Sequence, residues 1–236
     1  MTQNSNTKKE LLLIVEGAND EVALGMPLKN LQKVYSLDKN INIGVMRGDI
    51  TSDFKIRDVK EAIEKRVENY RKEYKLKKND ICGIVLLVDM DGAYIPSNAV
   101  VEDSEHTKPF YGENTILHNC PNKLQATRNL KQQRLNSLIN LDYIWGVKPF
   151  SVFFVSCNLD HVICRKANPT DREKRNAADD FSIEFGEDAE RFLSFFHSPE
   201  LVLGKTLDES WDIIRQDLNS LQRHSNLNFF LDTLLN

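Results

Sequence analysis

Two apolar runs that end in acids constrain this chain more than any other feature: LLLIVEGAND at residues 11–20 and ICGIVLLVDMDG at residues 81–92. In the second, Ile, Val and Leu succeed one another without the polar alternation of a half-exposed strand. Both of its faces must therefore be covered, which marks a strand inside a parallel sheet. The first run is shorter but of the same kind. The Asp20-Glu21 pair just beyond Gly17 suits the first turn of a helix, whose dipole favours acids.

The same alternation continues along the chain. INIGVMR, residues 41–47, predicts a second strand before the turn-like Gly48-Asp49. Residues 55–78 predict a long charged helix with Ile56, Val59, Ile63, Val67 and Tyr70 at helical spacing, its mixed-charge face turned to solvent. The polar stretch 95–121 is expected to be loop-rich. Residues 124–141 predict another helix, and FSVFFVS, residues 150–156, another strand whose Phe150, Phe153 and Phe154 belong to the core. Strands alternating with helices imply an α/β fold with a short central parallel sheet flanked by helices. Beyond Leu159 the character changes. Residues 164–180, CRKANPTDREKRNAADD, read as a polar loop or insertion, while AERFLSFF and SWDIIRQDLNSLQRH read as helices. The expected organisation is a catalytic domain over 10–165 and, over 166–236, a polar insertion with a helical C-terminal extension packed on it.

The formal net charge of -4 counts against a nucleic-acid binder unless the acids are concentrated at a metal site. The polar start MTQNSNTKKE carries no apolar leader core, and no stretch of about 18 apolar residues follows, so a cytoplasmic protein with no membrane partner is expected. Cys82, Cys120, Cys157 and Cys164 contain no CxxC pair, and reduced, mostly buried thiols are expected rather than a zinc ribbon or a disulfide framework. His106, His118 and His161 do not fall at metal-ligand spacing. Trp145 and Trp211 read as packing anchors.

The acids at the strand ends carry the chemistry. In an open parallel sheet, ligands gather outside the carboxyl ends of the strands, and Glu16, Asp89 and Asp91 are all expected there. If the second run stays extended, Asp89 and Asp91 point to one side and Met90 away from it. Oxygen ligands so placed suit Mg2+ or Mn2+, which take one or two protein carboxylates together with phosphates. Gly17 allows close backbone approach and a sharp turn, and Asp20 can reach back from the helix's first turn.

An apolar-E-G-x-x-D run followed by an apolar-D-x-D run resembles the Toprim domain, a family that includes topoisomerases, primases and the metal-dependent nucleases of the OLD and phage-defence type. The resemblance spans about residues 10–165 and implies a compact α/β fold with a short central parallel sheet. It implies that Glu16 is general acid or base and metal ligand, that Asp89 and Asp91 bind Mg2+ (or Mn2+), and that Asp20 is an auxiliary ligand. Asp160, after the last strand, takes the place of a further metal-binding acid in stand-alone members. A Mg2+-dependent endonuclease acting on DNA or RNA is then expected, the toxic effector of an antiviral defence system held by a controlling partner protein. A homodimer through the C-terminal helices stays open. Arg47, Lys108, Lys123, Arg128, Arg165 and Lys166 are the candidates for holding the nucleic acid strand.

Two alternatives stand beside it. LLVDMDGAY also looks like the first motif of haloacid-dehalogenase-type phosphatases, with Asp89 as nucleophile, Ser156 as the second-motif hydroxyl, Lys166 or Lys174 as the lysine and Asp179-Asp180 as the late acids. Ala93 replaces the usual Thr, however, and LLLIVEGAND is left without a role. A noncatalytic regulatory binding module is the other alternative.

Overall fold

The computed structural model describes residues 8–35, 40–53 and 55–235, so the polar start at residues 1–7 lies outside the described residues. The chain is an α/β protein. The central sheet has five strands in the order β2-β1-β3-β7-β8. Four of them, β1 (Lys9–Val15), β2 (Ile41–Arg47), β3 (Ile81–Asp89) and β7 (Phe150–Ser156), run parallel, and the short β8 (His224–Ser225) closes one edge antiparallel to β7.

The covering of both faces follows from residue alternation. Leu13 and Val15 of β1, Val85 and Leu87 of β3, and Phe153 and Val155 of β7 point into one core. Leu12 and Ile14, Ile84, Leu86 and Val88, and Val152 and Phe154 point into the other. The first core is roofed by α1 (Ala18–Val34), α5 (Asp171–Glu187), α6 (Ala189–Phe196) and α8 (Leu227–Leu235), and the second by α2 (Val59–Glu73), α3 (Pro121–Leu138) and α7 (Leu207–Ile214). Because successive strand residues face opposite sides, an uninterrupted apolar run is what a strand between two helix layers needs.

Strand order places the crevice. From β1 the chain crosses through α1 to β2 on one side, then returns past β1 through α2 to β3 on the other. The order therefore reverses at β1 and β3, and their carboxyl ends flank the opening where α/β sheets bind ligands. Glu16 follows β1 directly, and Asp89 is the last residue of β3.

Several elements differ from the sequence expectation. The charged helix α2 is confined to Val59–Glu73, because Asp58 caps it by accepting from the N–H groups of Lys60 and Glu61. The stretch expected to be loop-rich builds a second sheet, in the order β4-β6-β5, from β4 (Val100–Glu102), β5 (Phe110–Tyr111) and β6 (Ile116–His118). The segment read as a polar loop is largely the helix α5. Thr170 and Glu173 form a reciprocal capping box at its start, and its apolar Ala178, Phe181 and Phe185 pack in the first core. In SWDIIRQDLNSLQRH, helix α7 ends at Ile214, and the chain proceeds through turns to β8.

None of the four cysteines forms a disulfide. Cys157 alone is fully buried, Cys120 is exposed, and the other two are half-buried. Trp211 packs edge-on against Phe154, whereas Trp145 lies beneath the Lys78 ammonium, 4.7 Å from its ring centroid. Among the described residues no helix is long and apolar enough to cross a membrane.

Candidate metal centre

At the mouth of the crevice, ligand oxygens of Glu16, Asp89 and Asp91 all lie within 4.8 Å of one another. Three acids from two adjacent strand ends thus converge, although not by the expected route. β3 stops at Asp89, and Asp91 has a left-handed φ of 48°, so the segment is a turn rather than an extended strand. The turn is closed by the Ala93 N–H donating to Met90 O at 2.8 Å. Asp is one of the few residue types that tolerate this conformation. Gly92, at φ 65°, needs its missing side chain for a second reason, since a Cβ there would stand 2.7 Å from Ile116 Cδ1. Met90 turns away into the second core, fully buried.

Glu16-Gly17 at the end of β1 also has a local cause. Gly17 caps α1 with φ -109° and ψ 164°, ordinary extended values that any residue adopts, so the backbone does not demand glycine. The Asp20 carboxylate folds back to accept from the Gly17 N–H at 2.7 Å, and a Cβ on Gly17 would sit 3.2 Å from that carboxylate. Asp20 is therefore first of all the acid that closes the first turn of α1, buried, with a carboxylate oxygen held by the N–H of the cap residue Gly17.

Each member of the triad is oriented by hydrogen bonds. Asp89 accepts from the Leu159 N–H at 3.1 Å, and Asp91 from the Tyr111 hydroxyl at 3.2 Å. The Thr51 hydroxyl donates to Glu16, and Ser52 Oγ stands 3.5 Å from its other oxygen. The sequence reading missed a central member. Lys131, its side chain only 4% exposed, reaches into the cluster with its Nζ 2.6 Å from Asp91 and 3.6 Å from Glu16.

Lys131 belongs to an unusual face of α3. Leu124, Arg128, Lys131, Leu135 and Leu138 recur at alternating steps of four and three, a core-facing stripe, yet two of its positions are cationic and buried. Charged residues are almost never fully buried without partners, and that break in the stripe is the signal by which the sequence could have revealed Lys131. The Arg128 guanidinium is spent on the backbone carbonyls of Gly92, Ala93 and Ile95, holding the turn after Asp91. Arg134, one further turn along, grips the carbonyls of Thr51, Asp53 and Ile56 and so fixes the loop that presents Thr51 and Ser52. Arg128 is accordingly a clamp and not a free contact for nucleic acid.

Electrostatics express the crowding. Burial, joined by repulsion from Asp91 and Asp49 and opposed by Lys131 and Thr51, pushes the Glu16 carboxyl up to about 7. Burial and then Asp20, Glu16 and Asp91 hold Asp89 well above the ordinary carboxylate range. Asp20 is raised to about 6, chiefly by burial and by the charge of Asp160. Burial by itself would push the Lys131 ammonium down, but Asp91, Glu16 and Asp89 outweigh it and leave Lys131 above its ordinary value. An all-oxygen donor set suits a hard cation, and one lysine does not neutralise three carboxylates. The residues present therefore fit a metal ion.

The remaining candidates lie around this centre. Asp160, near the start of α4 (Leu159–Cys164), pairs with Lys174 at 2.7 Å and stands outside the converging triad, as does Asp20. Arg47, Lys108 and Lys123 are exposed, while Arg165 pairs with Glu200 and Lys166 with Glu173. His118 and His161 accept backbone N–H bonds from Cys120 and Cys157 through their Nδ1 atoms. Of the residues named for the phosphatase reading, the Ser156 hydroxyl donates to the Asn219 carbonyl at 3.1 Å, and Asp179 and Asp180 stand exposed on α5. Compared with known proteins, the chain matches no family model and no curated protein.

Proposed function

We propose that this chain is a metal-dependent phosphodiesterase that hydrolyses nucleic acid, with Glu16, Asp89 and Asp91 as the residues that would hold Mg2+ or Mn2+. One observation carries the reading: three carboxylates from the carboxyl ends of two neighbouring parallel strands bring their oxygens within 4.8 Å at the point where strand order reverses. The likeness of the two acidic motifs to the Toprim pattern supports the same chemistry. A bound divalent ion supplies charge stabilisation at a phosphoryl oxygen.

The chain's own groups take the other roles. Glu16, whose carboxyl is raised to about 7 by burial, would release its proton as the ion is taken up. Lys131 keeps positive charge beside Asp91 and Glu16, which lowers the repulsion among the acids as a phosphate approaches. The Tyr111 hydroxyl and the Leu159 N–H fix the orientation of Asp91 and Asp89, so the carboxylates need not reorganise.

The test is to incubate the purified protein with plasmid, single-stranded DNA, RNA and a chromogenic phosphate monoester, each with Mg2+, Mn2+ or EDTA. Strand cleavage with either ion and none with EDTA is expected, and Glu16→Gln and Asp89→Asn should each abolish it while retaining the wild-type circular dichroism spectrum. Cleavage by both variants at the wild-type rate would refute the assignment, and turnover of the monoester alone would favour the phosphatase chemistry.

A further inference from the structure

Beside the acidic triad lies a second hollow that the proposed hydrolysis does not use. It has a volume of about 520 Å³ and runs between the loop leading into β5 and the turn entering α5. That size falls within the range of small-ligand sites, about 300–1,000 Å³. Its inner wall is the outer rim of the metal centre. Tyr111 lines it and donates to Asp91, and Lys174 lines it and pairs with Asp160. The two sides are tied together, because the Asn168 side-chain amide accepts from the Tyr111 N–H at 2.8 Å and donates to the Tyr111 carbonyl at 2.7 Å.

The outer wall carries an aromatic surface. Phe110 is 39% exposed and packs on the His106 ring, centroid to centroid 4.5 Å, and the exposed Lys108 lies between them in sequence. An exposed aromatic face with a cation beside it, next to a phosphate-handling centre, is the arrangement on which single-stranded nucleic acids stack their bases. In an intact duplex both faces of each base are already stacked on neighbours, so a ring such as Phe110 can engage only an unpaired base.

Resting on the phosphodiesterase reading, we infer that this cleft receives an unpaired nucleobase stacked on Phe110, so that the substrate is single-stranded nucleic acid, with the adjoining phosphate at the acidic triad. Lys108 meets the backbone of the same strand. Asn158 and Asn168 also line the cleft, their amide oxygens accepting from the His161 and Tyr111 N–H groups, and one hydrogen of each amide nitrogen can meet an acceptor on the base.

Binding is measured separately from cleavage, by fluorescence anisotropy of a short labelled oligonucleotide, single-stranded or annealed to its complement, with Ca2+ in place of Mg2+. The single strand should bind tighter than the duplex. Phe110→Ala should weaken single-strand binding by roughly tenfold or more and leave duplex binding unchanged. Phe110→Trp should restore affinity, and its added fluorescence should be quenched by the single strand beyond any change at Trp145 and Trp211. Lys108→Ala should reduce the salt dependence of single-strand binding by about 0.7 in the log–log slope.

Unchanged single-strand affinity in Phe110→Ala, or an equal loss for duplex, would overturn the inference. The two readings fail separately. Cleavage that ignores Phe110 would sink only the base cleft, and Phe110-dependent binding with no cleavage under any metal would sink only the hydrolase.

Discussion

Glu16 and Asp20 show how the place of a residue can be legible in a sequence while the contacts that hold it are not. Both lie where the acidic motif placed them, yet the backbone angles at position 17 are open to any residue, and what stands close to it is the Asp20 carboxylate folded onto its N–H. Their raised values also set the sign of a pH effect. A carboxyl whose folded value is raised stabilises the fold fully below its unfolded value and loses that contribution as pH climbs through the folded one. With Glu16 at about 7 and Asp20 at about 6, the EDTA-treated protein should lose stability as pH rises from about 5 to about 8. Urea-unfolding midpoints across that range check it. Saturating Mg2+ should flatten the trend, because ion binding favours the ionised carboxylates. A midpoint independent of pH in EDTA would contradict the crowded-acid description.

At the scale of the element, α3 does more for the site than either acidic strand end does alone. Its buried residues join Leu135 and Leu138, which seal the second core, to Arg128, Lys131 and Arg134, and these cations hold two loops and the acid cluster in place. Removing one member of a buried ion pair leaves the other uncompensated and costs about 3–5 kcal/mol. Lys131→Met should therefore destabilise the protein by roughly that amount at pH 8 in EDTA, measured by urea unfolding. The loss should shrink at pH 5, where Glu16 and Asp89 are free to take protons, and on adding Mg2+. An equal loss under all three conditions would mean that Lys131 serves packing and not charge.

Across the whole molecule, the C-terminal segment is part of the same core as the first strand. Phe230 of α8 is 3% exposed, its ring centroid 5.6 Å from that of Phe153 on β7, and β8 extends the sheet that begins with β1. Truncating a large aromatic in a packed core costs about 3–5 kcal/mol, the lost transfer energy plus the cavity left behind. Phe230→Ala should therefore lower stability by about 3 kcal/mol or more, in one cooperative transition seen identically by fluorescence and circular dichroism. Two separate transitions, with the sheet surviving the first, would show instead that the C-terminal helices fold on their own.

The strands β1, β2, β3 and β7 were legible in the sequence because burial on both faces demands apolar runs, and a run of that kind has few other homes. The acids that end two of them were legible for the same reason, since charge directly after such a run has to lie at a strand end. What surrounds them was not legible. The Asp91 turn, the Thr51 and Ser52 contacts with Glu16, and the entry of Lys131 depend on which segments meet in space. Helix α5 was hidden by its polar surface, because only three of its apolar side chains, Ala178, Phe181 and Phe185, reach the core. A sequence records the cost of exposing each residue to water, and that determines which segments must be covered. The choice of partner for each buried charge is made only when strand order and helix packing bring distant residues together.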